Sequence, residues 1–336
     1  MPSLIRRHFL AGVASLAALP IAARSQPWLA VADRARALNQ CNALAINFRG
    51  TDVMSEVFRG PGIDRAVPIK SVSKTIVAAL TGAAIDRGEI PSLDDTIADL
   101  APSLIPPGAD PRVGRITVEQ LVTMRAGLER TSGANYGAWV SSADWIADAL
   151  SRPFVAEPGD RMLYSTGSFH VLGAVLSEVS GESLLTLARR RLGSPLGIEI
   201  PAWTRDPQGR YLGGNEMALS LPAMVRFGEM YRQGGRFDAV QVLSRDWVER
   251  SLVGRTRSPF SGLDYGYGWF LGRAGGDGYA LARGYGGQLI CIVPGLELTV
   301  ALTSDPMMPA RSDGYFGDLL QLIESDILPA ARSELT

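Results

Sequence analysis

Lysine is almost absent from this sequence, and its placement singles out one candidate base. Of the 33 basic residues, only Lys70 and Lys74 are lysines. A proton-accepting position excludes arginine, because the guanidinium group does not lose its proton in a protein. Lys74 begins a segment that is almost entirely apolar from 76 to 85, so burial is expected to lower the pKa of its amine. Lys70 lies outside that segment, and we interpret it as incidental.

Ser71 precedes Lys74 by three residues, a spacing that can bring a hydroxyl and an amine together. Positions i and i+3 share one face of a helix. Ser71 also stands where a helix is predicted to begin, so its amide can supply half of an oxyanion hole. The alternative is a serine N-cap followed by an ordinary helical lysine. The apolar segment that follows and the lack of another plausible base favour a reactive pair.

Other catalytic machineries find little support in the residues available. His8 lies in the leader, and His170 falls in an amphipathic helix, where a packed or capping role is commoner than catalysis. No G-x-S-x-G motif occurs. Cys41 and Cys291 sit in apolar, strand-like runs that predict buried thiols, with a disulfide after export as the alternative. Two thiols and one histidine cannot build a standard zinc site, so we expect no metal, and the chemistry needs no organic cofactor.

Residues 1–25 have the features of an export signal. A motif R-R-x-F-L begins at Arg6 and is typical of the twin-arginine route. The apolar run after it ends at Ala23 and is too short to span a bilayer. We therefore expect cleavage between Ala23 and Gln26, a periplasmic or secreted protein, and no stable membrane span after signal removal. The alternative is an uncleaved anchor helix.

Apolar periodicity predicts strands towards both ends of the chain and helices between them. Residues 42–49 and 52–59 alternate around Gly50-Thr51 and predict a hairpin. Residues 72–87 predict a helix that ends before Gly88 and is buried, because it is apolar on all sides. The other predicted helices are 117–124, 142–150, 166–180, 183–192, 222–233 and 314–328. The other predicted strands are 265–272, 278–283, 288–293 and 297–303.

This order of elements predicts an α/β (α+β) fold with a single catalytic domain, 26–336, in two lobes. The α/β lobe comprises 26–100 and 236–336, whose strands would meet in one antiparallel sheet flanked by helices. The inserted all-α lobe comprises 101–235. Because ligand sites favour the crevice between two lobes, we expect the reactive residues there.

The segment 69–95 resembles the active-site segment of β-lactamase-related serine hydrolases. It holds the S-x-x-K motif and the run GAAIDRGEIPSLDD. That family includes class C β-lactamases, D-alanyl-D-alanine carboxypeptidases, esterases and 6-aminohexanoate-dimer hydrolases. Further similar segments follow in the family's order at 116–128, 157–166, 171–173 and 195–198. Together they extend the resemblance over about 40–325 and imply a β-lactamase/transpeptidase-like fold.

The resemblance also implies roles for three residues. Ser71 would be the nucleophile and Lys74 its base. Tyr164 matches the tyrosine of the family's Y-x-N motif and would relay a proton to the leaving group, although a packed aromatic is the alternative. The third position of that motif is Thr166 instead of Asn. Threonine can donate one hydrogen bond but lacks the amide that would hold a substrate carbonyl.

The family's K-T-G strand motif is absent, and its counterpart is the run A-R-G that ends at Gly284. The continuation Y-G-G-Q resembles the 6-aminohexanoate-dimer hydrolase and esterase branch. On this alignment the N–H of Tyr285 would complete the oxyanion hole. Gly284 and Gly286 would allow a ligand to approach the backbone closely, with a simple turn or bulge as the alternative. Arg283 would contact a substrate carboxylate or be solvated.

The expected reaction is acyl transfer to Ser71 and hydrolysis of the acyl-enzyme, on an ester or a small linear amide. The groups that hold β-lactams and D-Ala termini in the family are altered here. The alternatives are a β-lactamase or D-Ala carboxypeptidase, a non-catalytic penicillin-binding-type sensor, and a structural α/β protein. The net charge of −1 offers no basic field for nucleic acid, so the expected partner is a small-molecule substrate.

Overall fold

The computed structural model describes residues 26–335. The predicted export signal, 1–25, lies outside the described residues. Within 26–335, no single helix is both long enough and apolar enough to cross a membrane, whereas the bent pair Thr166–Ser180 and Leu184–Leu196 meets these criteria when taken together.

Strands from both ends of the chain share one antiparallel sheet. The strands are β1 (Cys41–Phe48), β2 (Thr51–Val57), β3 (Val67–Pro68), β4 (Ala218–Leu219), β5 (Arg236–Phe237), β6 (Val240–Gln241), β7 (Thr256–Arg257), β8 (Asp264–Tyr265), β9 (Phe270–Ala274), β10 (Asp277–Gly284), β11 (Gln288–Val293) and β12 (Leu298–Ser304). The main sheet has the order β2-β1-β12-β11-β10-β9-β8-β7. β1 pairs with β12, so the predicted meeting of the two chain ends in one sheet is confirmed.

Helices cover the sheet on both faces. They are α1 (Gln26–Ala37), α2 (Ser73–Asp86), α3 (Ile97–Leu100), α4 (Val118–Val122), α5 (Tyr136–Val140), α6 (Trp145–Leu150), α7 (Thr166–Ser180), α8 (Leu184–Ala188), α9 (Ser194–Leu196), α10 (Leu221–Arg232), α11 (Arg245–Ser251), α12 (Tyr315–Gln321) and α13 (Leu328–Ser333). Every residue of β11 and β12 is buried, as expected for strands covered on both sides. α10 falls within 101–235, the range predicted for the helical lobe, yet it packs against β1, β11 and β12.

The first hairpin turns one residue earlier than predicted. Phe48 faces Thr51 in the register of β1 and β2, so the two turn residues are Arg49 and Gly50 instead of Gly50-Thr51. Both have positive φ, 52° and 78°, which matches the type I′ turn whose twist suits a hairpin. The arginine in this left-handed position is not a residue that favours it, which is why the sequence pointed to the next pair.

Helix α2 is enclosed on all sides, as predicted. All of its residues from Ser73 to Ala84 are buried. A Cβ at Gly82 would approach the Trp247 ring to 2.4 Å, so this turn of the helix needs glycine for close packing. A 3₁₀ turn, Lys70–Val72, precedes the helix and carries Ser71 just outside it.

The predicted strand 265–272 is interrupted between β8 and β9. At Gly266 and Gly268 the backbone packs directly against Ser251 and against α2. A Cβ at Gly266 would lie 2.1 Å from the carbonyl oxygen of Ser251. The hydroxyl of Thr75, in α2, donates a 2.7 Å hydrogen bond to the carbonyl of Gly268. The single apolar pattern is therefore divided between two short strands and a turn that reaches the buried helix.

Two predicted helices continue beyond their apolar patterns. The helix predicted over 183–192 continues through a π-helical turn, Arg189–Gly193, into α9. The helix predicted over 314–328 continues through Leu322–Ile327, also π-helical, into α13. Both π turns lie almost wholly inside the predicted ranges, and each helix continues a few residues past its predicted end.

Candidate active site

The candidate nucleophile and base lie together at the entrance of α2. Ser71 occupies the 3₁₀ turn, and Lys74 occupies the first turn of the α-helix. The side chains meet with 2.9 Å between Lys74 Nζ and Ser71 Oγ. Residues i and i+3 nearly eclipse in 3₁₀ geometry, so the turn brings the two groups closer than spacing on an α-helix alone requires. The predicted pairing is therefore present in the structure.

The Lys74 amine is enclosed by protein and has no carboxylate partner among residues 26–335. The residue is 2% exposed, and burial lowers the pKa of the amine to about 7. Besides Ser71, its Nζ lies 2.6 Å from the Gly214 carbonyl oxygen and 3.3 Å from Thr166 Oγ1. A substantial fraction of the amine is thus neutral at neutral pH.

Tyr164 lies over the same amine. Lys74 Nζ is 5.0 Å from the centre of the phenol ring, which stacks on Phe270. Burial raises the pKa of Tyr164, although a hydrogen bond with Ser71 and the charge of Arg283 act in the opposite direction. The phenol therefore keeps its proton at neutral pH and is able to donate it near Ser71.

Thr166 stands at the first turn of α7 and faces the base. Its Oγ1 lies 2.9 Å from Ser132 Oγ, and that serine oxygen also accepts a 2.8 Å hydrogen bond from the Thr166 N–H. The threonine hydroxyl thus already contacts Lys74 and Ser132. It is placed to orient the amine as well as to line the cleft.

The end of β10 presses on the turn that carries Ser71. A Cβ at Gly284 would lie 2.3 Å from the carbonyl oxygen of Ile69. Gly286 has a φ of 80°, and a Cβ there would lie 2.4 Å from the carbonyl oxygen of Asp305. Gly284 and Gly286 were predicted to let a ligand approach the backbone. In the structure both positions also allow close packing between segments of the protein backbone. Tyr285, between them, is 53% exposed and lines the cleft.

Arg283 is partly buried, and no carboxylate among residues 26–335 forms an ion pair with it. Its guanidinium lies 3.2 Å from the centre of the Phe316 ring and 5.0 Å from that of Phe270. Nη2 donates to Ser312 Oγ at 3.4 Å. Burial lowers the pKa of Arg283 to about 10, so the group remains cationic at neutral pH. The cation lines the cleft, and its contact with a substrate carboxylate stays a prediction.

Lys70, which the sequence analysis interpreted as incidental, forms an ion pair at the cleft. Lys70 Nζ lies 3.0 and 3.2 Å from the carboxylate oxygens of Glu216, and both residues line the cleft. Both have positive φ, 51° and 65°, which is unusual outside glycine and clusters at functional sites. The neighbouring Asn215 donates a 3.0 Å hydrogen bond to Tyr136. The segment 213–217 is therefore part of the site, although no predicted site residue lies in it.

One signal for that segment is the glycine pair between two predicted helices. A Cβ at Gly213 would lie 2.2 Å from the Phe169 carbonyl oxygen, so the segment touches α7 directly. The Gly213 N–H donates to Nδ1 of His170 at 3.4 Å, while Nε2 of His170 lies 3.1 Å from Asp206. His170 is thus a packed, hydrogen-bonded residue that supports the segment, as its helix position predicted.

The site opens into a cleft of about 610 Å³. Its walls include Ser71, Tyr164, Thr166, Arg283, Gly284 and Tyr285, and Lys74 lies beneath them. A separate hollow of about 640 Å³ lies along β9 and β10 and contains none of the predicted site residues. The cleft therefore combines the predicted reactive group with space for a small molecule.

The two cysteines lie within the sheet, away from this cleft. Cys41 in β1 and Cys291 in β11 are both buried free thiols, as predicted. Burial raises the pKa of the Cys41 thiol to about 12 and also raises that of Cys291. Both groups are therefore protonated and unreactive at neutral pH.

Comparisons with known proteins agree with this architecture. The model of the Beta-lactamase family matches residues 50–320. Penicillin-binding protein 4 of Amycolatopsis lactamdurans is 24% identical over 319 residues, covering 82% of this chain and 82% of that protein. A candidate 6-aminohexanoate-dimer hydrolase from Bacillus anthracis has a TM-score of 0.75 at 18% identity, covering 88% and 80% of the two chains. EstCE1, a hydrolase with promiscuous acyltransferase activity, has a TM-score of 0.73 at 17% identity, covering 88% and 99%.

The antiparallel sheet with its surrounding helices is the β-lactamase/transpeptidase-like fold, which the two solved structures share at low sequence identity. Since the family model spans most of the chain, this protein belongs to the β-lactamase family of serine hydrolases. The predicted fold and family are confirmed.

Proposed function

We propose that the protein hydrolyses an ester or a small linear amide through an acyl-enzyme on Ser71. The observation that carries the proposal is the buried amine of Lys74, whose pKa is lowered to about 7 and whose Nζ is 2.9 Å from Ser71 Oγ. Ser71 Oγ attacks the carbonyl carbon while its proton passes to Lys74. The C–O or C–N bond of the leaving group then breaks as Tyr164 donates a proton to it and regains one from the Lys74 ammonium. Water attacks the acyl-enzyme and gives a proton to Lys74, which returns one to Ser71 Oγ as the acid is released.

The surroundings of the amine support its role as base. A neutral amine has two N–H donors and one lone pair. Gly214 and Thr166 offer acceptors for the two N–H groups, which leaves the lone pair for the proton of Ser71. After proton transfer the ammonium has three N–H groups and three acceptors. The same contacts thus suit both states of the base, as preorganised catalytic groups require.

Stabilisation of the tetrahedral oxyanion is assigned to two backbone N–H groups, those of Ser71 and Tyr285. The close packing of Gly284 against Ile69 supports this assignment, because it holds the start of the Tyr285 turn beside the Ser71 turn. Removal of one such donor typically lowers kcat by 100- to 1,000-fold.

We propose an ester or a small linear amide as substrate because of the groups that line the cleft. Thr166 lacks an amide group, and its hydroxyl already contacts Lys74 and Ser132. Likeness to EstCE1 and to the candidate 6-aminohexanoate-dimer hydrolase is consistent with this choice. The similarity to penicillin-binding protein 4 favours a second candidate, a β-lactamase or D-Ala carboxypeptidase. The third candidate is a penicillin-binding-type sensor without turnover.

Covalent labelling tests the proposal. The mature protein is treated with a fluorophosphonate or with a penicillin, and adducts are located by intact mass and peptide mapping. We expect fluorophosphonate to label Ser71, and Lys74→Arg to lose the labelling, because arginine keeps the charge but cannot accept the proton. Penicillin labelling would favour the second candidate if turned over and the sensor if stable. A folded protein that neither reagent labels would contradict the acyl-enzyme.

We also propose export by the twin-arginine route, as the motif beginning at Arg6 indicates. The test is fractionation of cells that express the full chain, with Arg6→Lys/Arg7→Lys as the variant. Retention of the variant in the cytoplasm, with the unaltered chain outside it, is the expected result. Equal distribution of both would contradict this route.

A further inference from the structure

Large apolar side chains are exposed around the mouth of the catalytic cleft. Phe260 is 56% exposed, Tyr285 53% and Met307 79%, and all three line the cleft that contains Ser71. We call them the apolar rim. Single exposed apolar residues are ordinary, but a group around one concave site marks a binding surface.

The Phe260 side of the rim is held in place. The buried hydroxyl of Ser258 accepts hydrogen bonds of 3.3 Å from the backbone N–H groups of Phe260 and Ser261. The guanidinium of Arg130 lies 5.2 Å from the centre of the Phe260 ring. This loop therefore presents its aromatic side chain without needing to be ordered by a ligand.

The Met307 side is also anchored to the site. The carboxylate of Asp305 accepts a 2.9 Å hydrogen bond from the Met307 N–H. The Asp305 carbonyl packs against Gly286, where a Cβ would approach it to 2.4 Å. The segment that carries Met307 thus rests on the turn that carries Tyr285, and both side chains belong to one continuous surface.

A second hollow adjoins the cleft on the side of Tyr164 and Phe260, which line both. It measures about 480 Å³ and is lined by Tyr164, Phe260 and three arginines, but not by Tyr285 or Met307. Because Tyr164 is the proposed donor to the leaving group, the leaving group departs on that side. Tyr285 and Met307 then flank the acyl side of the reacting carbonyl.

We propose that the protein prefers esters or amides whose acyl group is an extended apolar chain lying against Tyr285 and Met307. This inference rests on the proposed function, since it takes the carbonyl to react at Ser71. Each methylene added to the acyl chain removes apolar area from water against this surface and so lowers the free energy of the bound state. The gain ends where the chain extends past the rim.

The test is a series of p-nitrophenyl esters from acetate to octanoate, in which only the acyl chain changes. A fully buried methylene is worth up to about fourfold in binding, so we expect kcat/KM for octanoate to exceed that for acetate by at least about tenfold. Met307→Ser should lower this ratio by at least about threefold, and Met307→Leu should retain it. Met307 is so exposed that the serine variant loses no core contact.

Val240→Ser is the matched control, because Val240 is 46% exposed in β6 and outside the cleft. It should leave the octanoate to acetate ratio unchanged. A flat acyl series in the unaltered protein, with Ser71 still labelled by fluorophosphonate, would overturn this inference and leave the proposed function standing. A second series, alkyl acetates from ethyl to octyl, varies only the alcohol; an effect of Met307→Ser on that series instead of the acyl series would also overturn the inference. An unlabelled Ser71 would overturn both.

Discussion

At the scale of single residues, the chemistry depends on one amine that is protected from water. Lys74 has hydrogen-bond partners but no counter-ion among residues 26–335, so burial lowers its pKa without a compensating ion pair. The neighbouring phenol of Tyr164 has its pKa raised by the same burial. One enclosed site thus leaves a substantial fraction of the base neutral and keeps the acid protonated at the same pH.

The activity should follow the ionisation of Lys74. Because the base must be neutral, kcat/KM for an ester should rise with pH and level off above an apparent pKa near 7. No decline is expected below about pH 10, since the pKa of Tyr164 is raised above the ordinary value for a phenol. A pH–rate profile checks this, with fluorophosphonate labelling rates as a second readout. A profile that first rises near pH 10 would contradict the lowered pKa.

The same ionisation should appear in stability. The pKa of Lys74 is about 7 in the folded protein and near 10.5 once it is exposed, so the unfolded chain binds more protons between these values. The contribution of Lys74 to the free energy of unfolding is therefore lowest below pH 7 and rises towards pH 10, by at most about 5 kcal/mol. Replacement by methionine should flatten this rise in urea unfolding measured at pH 6 and pH 9.5. If the methionine variant showed the same rise of unfolding free energy with pH, the rise would come from a group other than Lys74.

Tyr164→Phe should separate proton transfer from packing. The variant keeps a ring that can stack on Phe270 but loses the hydroxyl. Loss of a positioned general acid lowers kcat by about 100- to 10,000-fold, most for leaving groups that need a proton. Hydrolysis of an alkyl ester and of a p-nitrophenyl ester, compared with melting temperature, checks this. A loss below about twofold with the alkyl ester would remove Tyr164 from the mechanism.

At the scale of elements, β10 and the 3₁₀ turn before α2 position the site by direct backbone contact. Gly284 permits this contact because it lacks a Cβ, not because of an unusual φ, which is −123°. Ile69, whose carbonyl it touches, is two residues from Ser71. The position of Ser71 therefore depends on how closely β10 approaches the 3₁₀ turn.

Gly284→Ala should move the turn that carries Ser71. The added Cβ would start 2.3 Å from the Ile69 carbonyl oxygen, and backbone must yield. We expect at least about 100-fold lower kcat/KM, as for a small misplacement of catalytic groups, together with reduced stability. Gly62→Ala is the control, because its Cβ meets no atom within 4 Å and its φ is not positive. Equal activity of the two variants would show that the contact is not needed.

At the scale of the whole molecule, the cleft joins parts of the chain that are distant in sequence. Lys70 and Glu216 are 146 positions apart, and their partly buried side chains form an ion pair across the cleft wall. The pair connects the Ser71 turn to the segment whose Gly214 carbonyl contacts the base. Besides their direct contact, Ser71 and Lys74 are therefore connected through the Lys70–Glu216 pair and the segment that holds Gly214.

A double-mutant cycle with Lys70→Met and Glu216→Gln should measure this link. We expect a coupling of about 1 kcal/mol in urea unfolding, typical of a partly exposed pair, and weaker coupling in high salt. Coupling in kcat/KM should also appear, because both residues line the cleft. The pair Arg245 and Glu249 is the control, since both side chains are largely exposed. Additive effects at Lys70 and Glu216 would contradict the link.

Features that depend only on residues near one another along the chain could be predicted from the sequence. The three-residue spacing of Ser71 and Lys74 and the apolar run after them follow from local chain geometry, and the structure retains both. The order of the longer strands and helices was also predictable, because periodicity is local. The pattern missed helices α1, α5 and α11, placed the first turn one residue late, and gave one strand where glycine contacts divide β8 from β9.

The groups that complete the cleft come from distant parts of the chain and are fixed by the packing of the folded protein. The partner of Lys70, the acceptor at Gly214 and the surroundings of Arg283 lie far away in sequence from the groups they contact. No periodic pattern encodes such contacts, because they arise from how the sheet and helices pack. The neutral state of Lys74 likewise depends on complete enclosure by several elements, and desolvation is a property of the folded whole.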